Sequence, residues 1–99
     1  MAVRGEKVEV QNVNHPGLVE RVDAAKYHDA RDALLMVLPK AEPGMTAKDL
    51  KAAMQAHLSV DLFPGGATSG WWMKTVQLDL EAKGIIRRLQ TKPLRWLKA

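Results

Sequence analysis

Leu80-Glu81-Ala82-Lys83-Gly84-Ile85-Ile86 is the stretch on which the reading of this chain turns. Its leucine closes a run with helical spacing, its glycine supplies the positive φ that reverses a chain after a helix, and its aliphatic pair opens a strand. Upstream, the spacing predicts a helix over 70–83 that Gly84 terminates. At about 100° per residue, Trp72, Met73, Val76 and Leu80 share one side of it, while Trp71, Thr75, Leu78 and Ala82 share nearly the opposite one. Lys74, Gln77 and Glu81 form a polar strip between the two. The helix is therefore expected to be wedged between other elements, with that strip wet. Downstream, 85–90 reads as a strand, Thr91-Lys92-Pro93 as a turn and 94–98 as the returning strand, a hairpin over 85–98 with one basic face and one packed face.

Working further outward, Thr46 is an N-cap for a helix over 47–58, with Asp49 three residues on and Met45 placed to staple against Leu50. Its stripe is Leu50, Ala53, Met54, His57 and Leu58, which is core spacing. Asp23 caps an earlier helix over 24–38 in which Tyr27, Ala30, Leu34 and Leu38 recur, with Val37 beside them, until Pro39. The residues 7–22 read as an amino-terminal hairpin about Asn14-His15-Pro16-Gly17, where Pro and Gly suit the second and third positions of a type II turn. The alternation slips between Val10 and Val13, so a bulge or imperfect register is expected. These elements make a single α+β domain over 1–99.

The chain has 99 residues, no cysteine and a formal net charge of +4. It has material for one core only, and its apolar and charged fractions are those of a globular domain rather than a disordered chain. Met1 to Gly5 lead into charge rather than a signal-peptide apolar run, and no apolar run approaches the roughly 18 residues of a membrane span, so a cytoplasmic protein without a membrane partner is expected. The absence of cysteine excludes disulfides, thiol catalysis and the usual structural zinc sites. His15, His28 and His57 fall on separate elements without metal-ligand spacing, so no metal is expected. The 65–70 segment Gly-Gly-Ala-Thr-Ser-Gly lacks the lysine of a phosphate loop, and Ser69 has no His and Asp partners that spacing identifies. Neither an enzyme nor a cofactor is expected.

Charge is placed unevenly. Residues 1–84 carry ten Lys and Arg against eleven Asp and Glu, whereas 85–99 carry Arg87, Arg88, Lys92, Arg95 and Lys98 with no acid. A one-sign cluster projects a local field that attracts polyanions; the plainer alternative is a solvated strand pair.

Helix, short turn with Met45 as a bridging residue, capped helix, third helix and hairpin is an order that resembles the winged helix-turn-helix domain. The 80–86 string is similar to the junction of helix and wing in many such regulators. The stretches 12–17 and 61–66, with Gly70-Trp71-Trp72, resemble a small bacterial protein family of unknown function across nearly the whole chain. The first resemblance implies a winged-helix three-helix core with a carboxy-terminal wing and an added amino-terminal hairpin. It also implies double-stranded DNA as partner, with Lys74 and Gln77 on the groove-facing edge of the third helix and Arg87, Arg88, Lys92 and Arg95 in the wing. The sequence departs from that pattern twice. About eleven residues join the second and third helices where a helix-turn-helix has three or four, and the third helix balances Lys74 and Lys83 against Asp79 and Glu81.

Two functions are thus expected as alternatives. One is a non-enzymatic nucleic-acid-binding protein that contacts phosphates through its basic wing. The other is a protein-interaction module or homodimer, in which Trp71 and Leu78 form an apolar patch where the amino-terminal hairpin leaves them uncovered. Trp72 and Trp96 are expected to be core anchors.

Overall fold

The structure, a computed structural model, describes residues 6–99. Met1 to Gly5, read above for targeting, lie outside the described residues. The chain opens with strands β1 (Lys7–Gln11) and β2 (Val19–Asp23), followed by helix α1 (Ala24–Val37). A two-residue strand β3 (Met45–Thr46) leads into α2 (Ala47–Met54), and α3 (Ser69–Ala82) is followed by β4 (Ile86–Leu89) and β5 (Arg95–Lys98). β1 and β2 form a two-stranded antiparallel sheet, and the other three strands form a second sheet in the order β3-β5-β4. The fold is α+β, with three helices between two small sheets.

Local chemistry explains most boundaries. Asp23 accepts from the Lys26 amide at 2.9 Å and Thr46 from the Asp49 amide at 3.2 Å, which satisfies first-turn donors of α1 and α2. At the end of α3, Ile85 N–H donates to the Leu80 carbonyl and Gly84 N–H to that of Glu81, with Gly84 at φ +74°, so the glycine closes the helix as expected. Leu18 N–H donates to the His15 carbonyl at 3.0 Å around Pro16 and Gly17, which is the expected turn.

Three expectations are corrected. The β1–β2 ladder runs unbroken from Lys7 opposite Asp23 to Gln11 opposite Val19; Val13 lies in the turn, so the slip in alternation ends the strand instead of bulging it. The second helix stops at Met54 and tightens into a single 3₁₀ turn over Gln55–His57, and His57 is exposed rather than seated on the core stripe. The polar strip of α3 is mostly dry: Gln77 is fully buried and the Glu81 side chain is 6% exposed.

The core gathers Tyr27, Ala30 and Leu34 from α1, Leu50 and Met54 from α2, and Met73, Val76 and Leu80 from α3, with Val10 and Val22 below the first hairpin. Trp72 and Trp96 are both buried, and Phe63 fixes the 55–68 connection by packing its ring edge-on to Trp72 at 6.3 Å. α3 lies against α1, β1 and β4, the wedge that its two apolar faces require.

Candidate nucleic-acid interface

The hairpin of β4 and β5 presents the tail cations unequally. Its register sets Arg88 opposite Trp96 and Arg87 opposite Leu97. Alternation along β4 therefore sends Arg88 to the face it shares with buried Trp96 and Arg87 to the other face, where it is exposed. Arg88 folds onto α3. Its Nη2 donates to Glu81 Oε1 at 3.2 Å, and its Nε lies 3.1 Å from Oε2, close enough for an ion pair but off axis for a hydrogen bond. Its guanidinium also sits 5.7 Å from the Trp96 ring. Arg95 is half-buried and donates through Nη1 to the Gly44 carbonyl at 3.2 Å. Lys92, at the hairpin turn, is exposed.

On α3 the expected pair separates. Lys74 is exposed, whereas Gln77 turns inward and donates through Nε2 to Glu81 Oε1 at 2.6 Å. Gln77 is therefore not on a groove-facing edge. Its place on the wheel, midway between the apolar face and Lys74, predicts a wet edge only when nothing packs there, and the β4–β5 hairpin packs there.

The acids that make α3 neutral in sequence do not reach its surface. Asp79 is fully buried; it accepts from the Gln11 amide at 2.8 Å, from Lys83 Nζ at 2.9 Å and, in a short hydrogen bond, from the Tyr27 hydroxyl. Burial, followed by the hydrogen bond and charge of Asp79 and opposed by Arg31, pushes the Tyr27 phenol well above the ordinary tyrosine range, so it stays a donor. Glu81 is consumed by Arg88, Gln77 and the Trp96 indole, whose Nε1 donates at 2.6 Å. The sequence signals for both hubs were weak. Asp79 stands four residues before Lys83, which reads equally well as a surface pair.

With those acids turned inward onto Lys83 and Arg88, the other cations of α2, α3 and the β4–β5 hairpin remain at the surface, with Asp49 as the exposed acid of α2. Lys48 and Lys51 on α2, Lys74 on α3 and Arg87 and Lys92 on the β4–β5 hairpin are all exposed. Lys51 reaches the first turn of α3, its Nζ lying 3.3 Å from where a Cβ on Gly70 would stand. Lys74 follows Gly70 by one turn. Residues 40–99 carry ten Lys and Arg against five Asp and Glu, and Asp79 and Glu81 are two of those five.

The opposite flank of α3 is covered by the first hairpin, where Leu78 is half-buried beside Val10, Leu18 and Thr75. Trp71, in the first turn of α3, is 54% exposed, and Leu18 and Val19 of the first hairpin are exposed apolar groups as well. A separate depression of about 740 Å³ follows the outer stripe of α1 past His28, Asp29 and Asp32. His28 Nδ1 is buried there without a hydrogen-bond partner, and Asp29 accepts the Ser59 amide at 2.8 Å. Among the described residues no group of three or more His, Asp and Glu is placed to hold a metal ion, and no helix is long and apolar enough to cross a membrane.

These features define a small α+β domain whose second half carries exposed cations on two helices and one hairpin. The chain belongs to a family of unknown function (DUF6958), whose family model matches residues 7–96. That span takes in every strand and helix apart from the last residues of β5. No curated protein and no solved structure matches the chain.

Proposed function

We propose that this protein is a non-enzymatic winged-helix module of the cytoplasm that binds double-stranded DNA through backbone phosphates. The observation that carries the reading is the exposure of Lys48, Lys51, Lys74, Arg87 and Lys92, with Asp49 as the exposed acid of α2, while Asp79 and Glu81 are turned inward and paired with Lys83 and Arg88. The element order and the β3-β5-β4 sheet support the winged-helix assignment, with β3 as the short bridging strand. Base reading forms no part of the proposal. Gln77 is buried, Arg88 is paired and Arg95 is bound to backbone, so three of the side chains suited to base edges are engaged within the protein.

The test is fluorescence anisotropy of labelled random-sequence duplex at about 50 and about 200 mM salt, a range over which phosphate-led binding weakens steeply. Five phosphate contacts give a log-log slope near −4.5, so a slope between about −2 and −4.5 with little sequence preference is expected. No binding at the lower salt overturns the reading.

A protein-partner reading is favoured by one observation, the 54% exposure of Trp71 beside the half-buried Leu78. Large exposed aromatics are enriched where proteins meet. Sedimentation that depends on protein concentration and is abolished by Trp71→Ala is the result expected of a homodimer built on that face.

A further inference from the structure

Glu81 joins α3 to the wing through a single carboxylate. Oε1 accepts from Gln77 Nε2 at 2.6 Å, from Trp96 Nε1 at 2.6 Å and from Arg88 Nη2 at 3.2 Å, and Oε2 faces Arg88 Nε at 3.1 Å. Its side chain is 6% exposed and that of Arg88 22%, so the pair lies at the rim of the interior. An ion pair so placed is screened by salt less than a surface pair, and the indole and amide donors hold the carboxylate even without the arginine. Of Gln77, Trp96 and Arg88, Arg88 alone carries charge and reaches solvent. Arg87, its neighbour on β4, is exposed.

We infer that Glu81 sets the number of wing cations available to DNA by holding Arg88 in reserve while it seats the wing on α3. The inference rests on the DNA-binding reading. With the carboxylate in place, the wing offers phosphates Arg87 and Lys92; with its charge removed, the Arg88 guanidinium at the rim is free to turn outward and add one contact. Glu81 is a positioning residue in this scheme. It touches no phosphate, and its effect passes through Arg88.

The experiment compares wild type with Glu81→Gln, Arg88→Gln and the double variant, using random duplex at about 50 and about 200 mM salt. Asp49→Asn serves as a control that adds the same charge at an exposed position of α2. Glu81→Gln is expected to bind more tightly than wild type at the lower salt and to steepen the slope by about 0.9, so that its advantage shrinks about three- to fourfold across the two salts. In the Arg88→Gln background that gain disappears. A gain no larger than that of Asp49→Asn, or one that persists without Arg88, overturns the inference. Should Glu81→Gln fail to fold, Arg87→Gln and Arg88→Gln decide the matter: Arg87→Gln flattens the slope more, and equal flattening overturns the inference.

Failure of the underlying reading has a different signature. Wild type then binds no DNA at the lower salt, which removes both claims together. Hydrogen exchange at the Trp96 indole, slow in wild type and fast in Glu81→Ala, separately reports whether the carboxylate seats the wing.

Discussion

The backbone amide of Gln11 donates to Asp79 Oδ1 at 2.8 Å, joining positions 68 residues apart. Through that bond the last residue of β1 is tied to a carboxylate that also accepts from Tyr27 of α1, so one buried group fixes the first hairpin to two helices. Replacing Asp79 with alanine leaves the Gln11 amide and the Tyr27 hydroxyl without their acceptor. A loss of about 2–4 kcal/mol is expected in chemical denaturation. Amide exchange at Gln11 should rise with it, and Tyr27→Phe, which removes one donor only, should cost about 1.5–3 kcal/mol.

The raised Tyr27 pKa fixes the sign of a pH effect. The folded state favours the protonated phenol more than the unfolded state does, so this contribution is complete below the ordinary tyrosine value of about 10 and is lost as pH rises beyond it. Stability measured against pH is expected to fall above about pH 10 more steeply in wild type than in Tyr27→Phe. Parallel curves for the two proteins would show that the phenol makes no such contribution.

Gly44 and Gly17 both have positive φ, at +74° and +90°, but their surroundings differ. A Cβ on Gly44 would stand 2.7 Å from the Trp96 carbonyl oxygen, whereas one on Gly17 meets nothing within 4 Å. Gly17→Ala is therefore expected to cost about 1–2 kcal/mol, the left-handed backbone term alone. Gly44→Ala adds a clash with the middle strand of the sheet and should be distinctly less stable by thermal melting.

Two neighbouring tryptophans should respond unequally to truncation. Trp72, at 7% exposure, packs edge-on to Phe63, and Trp72→Ala is expected to cost about 3–5 kcal/mol. Trp71 contributes mainly its edge-on contact with Trp72, at 4.9 Å between centroids, so Trp71→Ala should cost about 1 kcal/mol. Acrylamide should quench the Trp71 component of fluorescence first.

Lys74 and Gln77 should separate binding from stability. Lys74→Ala is expected to flatten the salt dependence of DNA binding by about 0.9 with an unchanged melt. Gln77→Ala removes a buried donor to Glu81 and should lower the melting temperature instead.

Local signals account for much of what was legible in the sequence. Asp23, Thr46, Pro16-Gly17 and Gly84 act through bonds to residues within a few positions, and each appears in the structure where its chemistry places it. The burial of Trp72 and Trp96 follows from helical and strand patterning. The candidate interface was less legible because its arrangement depends on long-range pairing. Wheel geometry places Gln77 and Glu81 on a polar edge, but only the docking of β4 and β5 shows that this edge is roofed by Trp96 and Arg88. Asp79 and Glu81 read as charges that cancel lysines; in the structure they turn inward onto Lys83 and Arg88, and Lys74 is left facing water. His57 departs from the expected stripe for a related reason, since tightening of the helix after Met54 rotates the following residues off it.

The sheet order has a consequence for synthesis. β5 is the central strand, with β3 on one side and β4 on the other, yet it is the last of the three to be translated. On the ribosome, Met45–Thr46 and Ile86–Leu89 emerge before the strand that joins them, and the seat of the Trp96 ring stays empty until residues 95–98 clear the exit tunnel. Until then the helices form without that ring, and a sheet completed by the last of its three strands leaves apolar surface open during synthesis, the condition in which nascent chains associate wrongly.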